Sequence, residues 1–465
     1  MNMINVRRLT VMTFLGAGML SGISAQVSPL QVDTLKETKI PDQWDLQSCI
    51  DYAKEQNITI RKNRITAVST QIDVKTAKAA LFPSLSFSTG HQVVNRPYQE
   101  TSSRVSGSEI ISSNSKTSYN GNYGLNASWT LYNGNKRLKT IQQEKLNNQM
   151  AELDVATSEN NIQESIAQVY IQILYAAESV KVNENTLQVS IAQRDRGQEL
   201  LNAGSIAKSD LAQLEAQVST DRYQLVTAQA TLEDYKLQLK QLLELDGENE
   251  MNIYLPALSD ENVLAPLPTK RDVYISALSL RPEIEASKLN VEASELGINI
   301  AKSSYFPTIS LSAGIGTNHT SGSDFTFGEQ VKNGWNNSIG LSVSVPIFNN
   351  RQTKSAVQKA KLQYETSMLS LLDEQKTLYK TIEGLWLDAN SAQQRYAAAN
   401  EKLRSTQISY DLISEQFNLG MKNTVELLTE KNNLLQAQQE QLQAKYMAIL
   451  NTQLLKFYQG DKLAL

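Results

Sequence analysis

Two hydrophobic periods alternate along this chain. From Lys136 to about Leu201 there is no proline, and the only glycine is Gly197. Within it Ile162, Ile166, Val169, Ile173, Ala176 and Val180 recur at alternating steps of four and three. That spacing is the seam of a coiled coil. The stripe that follows, Leu211, Val218, Leu225, Leu232 and Leu239, steps by seven. The first segment alone would run on the order of 100 Å at ~1.5 Å per residue. The design returns later: Arg351 to Phe417 holds a single glycine, and Leu428, Leu435, Leu442 and Ile449 again step by seven. The pattern predicts two long antiparallel helical hairpins, at about 135–245 and about 351–458.

Ahead of each hairpin the period drops to two. Leu85 and Phe87 alternate with Ser84, Ser86 and Ser88, while Tyr123, Leu125, Ala127, Trp129 and Leu131 alternate with Gly124, Asn126, Ser128 and Thr130. Ile309, Leu311, Ala313 and Ile315 are set against Ser310, Ser312, Gly314 and Gly316. Ile339, Leu341, Val343, Val345 and Ile347 are set against Gly340, Ser342 and Ser344. Strands are predicted at about 84–94, 119–132, 308–318 and 337–348, with Ser/Thr/Gly/Asn-rich loops joining each pair. One apolar face and one small polar face suit tilted strands between lipid and a water-filled lumen. A soluble sheet packed on helices would alternate in the same way. Phe82, Trp129, Tyr132, Phe306, Trp335 and Phe348 fall near strand ends, where aromatic girdles form. Four strands leave two open edges that lipid cannot satisfy. If they span a membrane, several copies of the chain must pool them.

The two halves are copies. Gly204 in Leu-Leu-Asn-Ala-Gly returns as Gly420 in Gln-Phe-Asn-Leu-Gly, a step of 216, and Asn133 returns as Asn349 at the same step. Phe82-Pro83 returns as Phe306-Pro307 at a step of 224, so the extra eight residues lie in the strand and loop region. Repetition at a fixed step governs the whole fold. The organisation read from it is a first repeat over 26–245, a connector over 246–271 broken by Pro256, Pro266 and Pro268, a second repeat over 272–458, and a tail over 459–465.

The N-terminus carries Arg7-Arg8, an apolar stretch from Leu9 to Leu20 and small residues to Ala25, which is expected to be a signal peptide over 1–25. The next residue is Gln26 rather than cysteine, against a bacterial lipid anchor. Loss of the two arginines takes the formal net charge from −4 to −6, against nucleic acid as a partner. Catalytic residues are scarce. The chain has two histidines, His91 and His319, and one cysteine, Cys49, with no metal-ligand or triad spacing. No enzyme, cofactor or metal is expected.

This order of elements resembles the TolC-like outer membrane efflux family. Ser279-Leu280-Arg281-Pro282-Glu283-Ile284, continuing through Lys302-Ser303-Ser304-Tyr305-Phe306-Pro307, looks like the entry to that family's second repeat. Asn202-Ala203-Gly204 with Asp210-Leu211, and Asn418-Leu419-Gly420 with Glu426-Leu427, look like its hairpin turns. The resemblance implies an α+β membrane protein: a homotrimer with four strands per protomer in a shared twelve-strand barrel, continued by a coiled-coil periplasmic tunnel. It implies outer membrane lipid, a periplasmic adaptor protein, and an inner-membrane pump or ABC exporter as partners. The function implied is a passive duct for efflux or type I secretion; an exported structural or adhesive coiled-coil protein is the alternative.

By the same resemblance the second hairpin closes the tunnel. The gate residues carried over are Phe417 (a tyrosine in the family), Lys422 at a basic latch position, Glu426 as a ring carboxylate, and Glu430 beside Thr429, where a second acid is usual. A ring of carboxylates at a narrow mouth favours cations, and like-charge crowding raises pKa values. Gly204, Ser205, Ile206, Ala207, Asp210 and Leu211, with Gly420, Met421, Asn423 and Leu427, are the expected turn and adaptor-contact positions.

Overall fold

A computed structural model describes residues 41–98, 102–106, 109–113, 116–246, 251–256, 263–321 and 325–463. The expected signal peptide lies outside the described residues.

Each repeat begins with two short helices whose starts are capped by the local sequence. Asp45 accepts from the Ser48 N–H at 2.7 Å to open α1 (Leu46–Gln56), and Asn57 accepts from Thr59 and Ile60 to open α2 (Ile58–Ala79). In the second repeat Thr269 caps α5 (Lys270–Leu280). Pro282 occupies the start of α6 (Pro282–Ser303), where no helical bond needs its N–H.

Strands follow. β1 (Ser84–Asn95), β4 (Thr117–Asn133), β5 (Thr308–Thr320) and β6 (Asn336–Ser344) form one antiparallel sheet in the order β1-β4-β5-β6. The register lines up the two faces. Leu85, Ala127, Ala313 and Ile339 share one row, and Ser86, Asn126, Gly314 and Ser338 share the next. Three expectations are corrected here. The segments expected as loops carry a small hairpin, β2 (Ser102–Ser106) with β3 (Glu109–Ser113), and a short helix, α7 (Phe327–Asn333). β6 stops at Ser344 rather than near 348, two residues before Pro346, which has no N–H for a ladder. The alternation of β4 breaks at Leu131, where a bulge lies between Thr130 and Tyr132.

The repeat persists in the backbone. Gly134 and Asn135 turn β4 into α3 (Lys136–Asn202) with φ of 68° and 62°; Asn350 and Arg351, 216 residues on, turn into α8 (Gln352–Asn418) with φ of 50° and 67°. Both helices have 67 residues. Their return helices are α4 (Lys208–Leu242) and α9 (Thr424–Gln459). On the strand side α2, α3, α6 and α8 stand side by side in that order; on the tip side the order is α4, α3, α9 and α8.

The largest core lies where these two walls meet. Ile166, Tyr170, Ile173 and Leu174 of α3 pack with Leu239, Tyr396, Ala448 and Leu450, and with Trp44 and Leu463 from the two ends of the described chain. The connector is strapped on through its carbonyls, which would otherwise be buried without partners. Tyr170 Oη donates to Tyr254 at 2.6 Å, Gln393 Nε2 to Val263 and Ala265 at 2.9 and 2.8 Å, and Trp386 Nε1 to Pro268 at 3.0 Å. Arg281, 6% exposed, holds Glu164 at 2.7 Å and Glu283 at 2.9 Å and lies 3.9 Å over the Tyr458 ring. It thereby ties the entry of the second repeat to α3 and α9.

Candidate functional site

The hairpin tips share one turn and differ in what surrounds it. Gly204 (φ 71°) donates to the Leu201 carbonyl and Ser205 to that of Leu200; Gly420 (φ 75°) donates to Phe417 and Met421 to Gln416. This is the Schellman ending, in which a left-handed residue satisfies the last helix carbonyls, and glycine adopts it without a Cβ clash.

Beyond the turn the copies part. Asn423 accepts from the Glu426 N–H at 2.9 Å, and the Glu426 carboxylate accepts from the Asn423 N–H at 3.3 Å, a complete capping box. In the first hairpin Asp210 accepts from the Ala207 N–H at 3.1 Å, but alanine offers no acceptor in return. Lys422 Nζ donates to Glu426 at 2.6 Å. That hydrogen bond, then the one from the Asn423 N–H, holds the Glu426 carboxyl below its ordinary pKa. Within one chain the shift therefore opposes the rise expected from crowded carboxylates.

The other carried-over residues take specific places. Phe417 is buried against Leu214 and Leu427, with Leu200, Tyr410, Ile413 and Leu428 around them, so it closes the hairpin contact from inside. Leu211 and Leu427 are likewise buried and support the tips rather than present a surface, a correction to the expected contact set. Glu430 accepts from Ser409 Oγ at 3.0 Å and braces α8 against α9. Ser205, Ala207, Met421 and Asn423 are exposed, whereas Ile206 and Asp210 are half-buried. Met421 stands 70% exposed beside exposed Leu419 and Val425.

Above the tips the two hairpins are joined by a polar node that the pattern reading missed. Lys431 of α9 donates to Asp221 of α4 and to Ser190 of α3, and Ser190 also donates to Asp221. Gln217 completes the carboxylate's partners at 2.9 Å. Burial lowers the Lys431 pKa against the pull of Asp221. A readable signal existed: Asp221 and Lys431 each follow a seam residue, Val218 and Leu428, by three, where a coiled coil places an apolar side chain. Gln193 Nε2 also bonds Tyr410 Oη at 2.8 Å across the hairpins.

At the opposite end stand the strands. Phe82, Trp129, Tyr132, Phe306 and Phe348 cluster at the helix-side ends, and Trp129 donates to the Leu81 carbonyl at 2.7 Å. Trp335 alone of the expected girdle marks the far end. There the structure adds residues the pattern did not single out: His91 bonds Tyr119 Oη at 2.6 Å and meets the Tyr123 ring, while His319 meets Tyr119 and Phe327. Tyr119 and Trp129 are ten residues apart on β4, roughly 33 Å along a strand and about 25 Å once tilted. Among the described residues no helix is long and apolar enough to cross a membrane, and no His/Cys/Asp/Glu group could hold a metal ion.

Comparison with known proteins gives this arrangement a family. The model of the outer membrane efflux protein family matches residues 49–244 and 273–460. Outer membrane efflux protein BepC of Brucella suis is 24% identical, over 63% of this chain and 61% of its own length. Outer membrane protein TolC of Escherichia coli is 24% identical, over 61% of this chain and 58% of its own length, so the matched part spans about three fifths of both relatives. The crystal structure of outer membrane protein VceC from Vibrio cholerae superposes with a TM-score of 0.73 at 16% identity, covering 90% of this chain and 97% of that one. With both repeats matched, the chain belongs to the outer membrane efflux protein family, and its place is the cell outer membrane.

Proposed function

We propose that copies of this chain, three by resemblance to the family, pool their strands into one barrel and their helices into one tunnel. The assembly is a passive export duct, closed at the second hairpin and opened by a periplasmic adaptor with an inner-membrane pump or ABC exporter.

One observation carries this reading: the sheet and the helical wall both end in open edges that match. Among the described residues nothing pairs with the outer edges of β1 and β6. On the strand side the wall ends at α2 and α8, and each shows an unpartnered apolar stripe. Ile58, Ile65, Val68 and Ile72 are exposed on α2; Leu362, Leu369 and Leu372 are exposed on α8. The α2 stripe steps by seven, three and four and the α8 stripe by seven and three, spacings that mark a helix seam. A single chain thus presents to water surface built to be covered, and burying it returns roughly 25 cal/mol per Å². Joining α8 of one copy to α2 of the next, and β6 to β1, closes both layers with one operation.

The sheet supports a duct. Exposed Leu85, Phe87, Leu125, Ile339, Leu341 and Val343 lie on one face, while serine, glycine and asparagine line the other. Lipid covers the first, and a water-filled lumen wets the second. At the tips, one Glu426 per copy supplies a carboxylate where the hairpins converge, attracting cations. Exposed Ser205, Ala207, Met421 and Asn423 are the positions offered to the adaptor. Insertion of the purified oligomer into planar bilayers tests the reading: discrete, low-amplitude, cation-selective conductance is expected, and an absence of conductance from folded oligomer contradicts it.

A further inference from the structure

The register of the sheet shows on which side α7 lies. Toward the end away from the helices, the rows of the apolar face run Leu85–Ala127–Ala313–Ile339, Phe87–Leu125–Ile315–Asn337, Thr89–Tyr123–Thr317 and His91–Gly121–His319. Aliphatic side chains thus give way to hydroxyl, phenol and imidazole, as at the border of a hydrocarbon layer. β6 begins at Asn336, opposite Gly316, so it does not reach the end of β5 at Thr320. There α7 takes its place. Thr317 Oγ1 donates to the Val331 carbonyl at 2.8 Å, and the His319 ring meets that of Phe327 at 5.0 Å. Both Thr317 and His319 belong to the apolar face, so α7 folds onto that side and away from the face of serine, glycine and asparagine. Gln330 Oε1 accepts from the Thr320 N–H at 2.9 Å, a backbone donor beyond the reach of β6.

We propose that α7 is an interfacial anchor, lying on the outside of the barrel wall with Phe327 and Trp335 inserted into the outer leaflet where headgroups meet acyl chains. The proposal rests on the reading that the apolar face of the sheet meets lipid. The helix is built for such a border. Phe327 and Val331 lie on one side of it, and exposed Glu329, Lys332 and Asn333 on the other. Trp335, just before β6 and in step with Asn337 and Ile339, falls on the apolar face. Phe325, Phe327 and Trp335 are 48%, 43% and 57% exposed, and three large rings beside one apolar surface suit a membrane boundary better than water. The start of the helix leaves little backbone to hydrate: Thr326 Oγ1 accepts from the Glu329 N–H, and the Glu329 carboxylate accepts from the Thr326 N–H at 2.8 Å. Seven residues are too few for a helix to persist by itself in water, so α7 depends on the surface beneath it. Lipid covering Phe327 and Trp335 continues the layer that covers Leu125, Ile315 and Ile339.

Nitroxide labels test this in the full-length oligomer held in phosphatidylcholine vesicles. Single labels are placed through Phe327→Cys, Trp335→Cys and Glu329→Cys, with Leu341→Cys as the report from the middle of the sheet. Cys49 is 0% exposed and stays unlabelled. Labels at 327, 335 and 341 are expected to collide several-fold more often with oxygen, which concentrates among acyl chains, than with a nickel chelate confined to water. At 329 the order is expected to reverse. Phe325→Cys, in the segment leading into α7, supplies a further position with the same expected signature if either aromatic variant fails to assemble. If the label at 341 is lipid-like but those on the aromatic positions meet the chelate freely, α7 stands in water and the anchor proposal alone is overturned. If neither reagent reaches those positions, a neighbouring copy covers α7, which overturns it equally. If the label at 341 itself meets the chelate, the lipid-facing reading of the sheet falls and the anchor with it.

Discussion

The first and second hairpins have one backbone and two chemistries. Each descends through 67 helical residues, turns at a left-handed glycine, and returns from a helix start 216 residues from its counterpart. Yet Ala207 leaves the first return helix half-capped, where Asn423 completes the second. Leu201 is half-buried at the position where Phe417 is buried outright. The comparison teaches that duplication held fixed what a shared wall needs, namely length and turn geometry. Side chains were free to specialise one copy. The second tip is the better fastened, both to itself and to its neighbour.

The largest test of the shared wall is its open edge. Ile65→Glu or Leu369→Lys puts a charge into a stripe that the proposed assembly buries between copies, and either is expected to abolish a heat-modifiable oligomer on gels; retention of that oligomer would detach the stripes from assembly. Next is the node that binds the repeats together. Arg281→Ala leaves Glu164 and Glu283 without their cation and is expected to cost about 3–5 kcal/mol, read as a lower melting temperature.

The comparison itself is sharpened by matched substitutions. Phe417→Ala is expected to cost about 3–4 kcal/mol of local stability, against less than about 1.5 kcal/mol for Leu201→Ala, by hydrogen exchange at the tips. Equal losses would erase the asymmetry. Asn423→Ala should cost about 1 kcal/mol of protection in α9, and Ala207→Asn should add a similar amount in α4 by supplying the missing acceptor.

Smallest is the pH response of the second tip. The folded Glu426 carboxyl titrates below its ordinary value because Lys422 donates to it. The support from that contact is therefore complete above the usual glutamate pKa of about 4.3, and it fades as pH falls through the lower folded value. A carboxylate resonance titrating above about 4.3 in the assembled oligomer would show that crowding outweighs Lys422.

Much of this was legible from periodicity. The step of 216 returns in φ angles at Gly134, Asn135, Asn350 and Arg351, because sequence spacing and backbone turn obey one geometry. The strand rows followed from alternation, which also fixes the register once one face is apolar. What escaped was local. The bulge at Leu131 and the early end of β6 depend on ladder bonds that a hydropathy pattern does not carry. Lys431 and Asp221 are charged residues at seam positions 210 apart, and only the packing of three helices brings them together. For the same reason Phe417, Leu211 and Leu427 could be assigned to the tips by sequence but not to their interior.

The central claim, a duct whose selectivity resides in the second hairpin alone, meets its most direct test in the reversal potential of single channels under a KCl gradient. The parent and Asp210→Asn are expected to show the same cation preference, while Glu426→Gln brings the reversal potential close to zero. Equal effects of the two substitutions, or none from Glu426→Gln, would contradict the account.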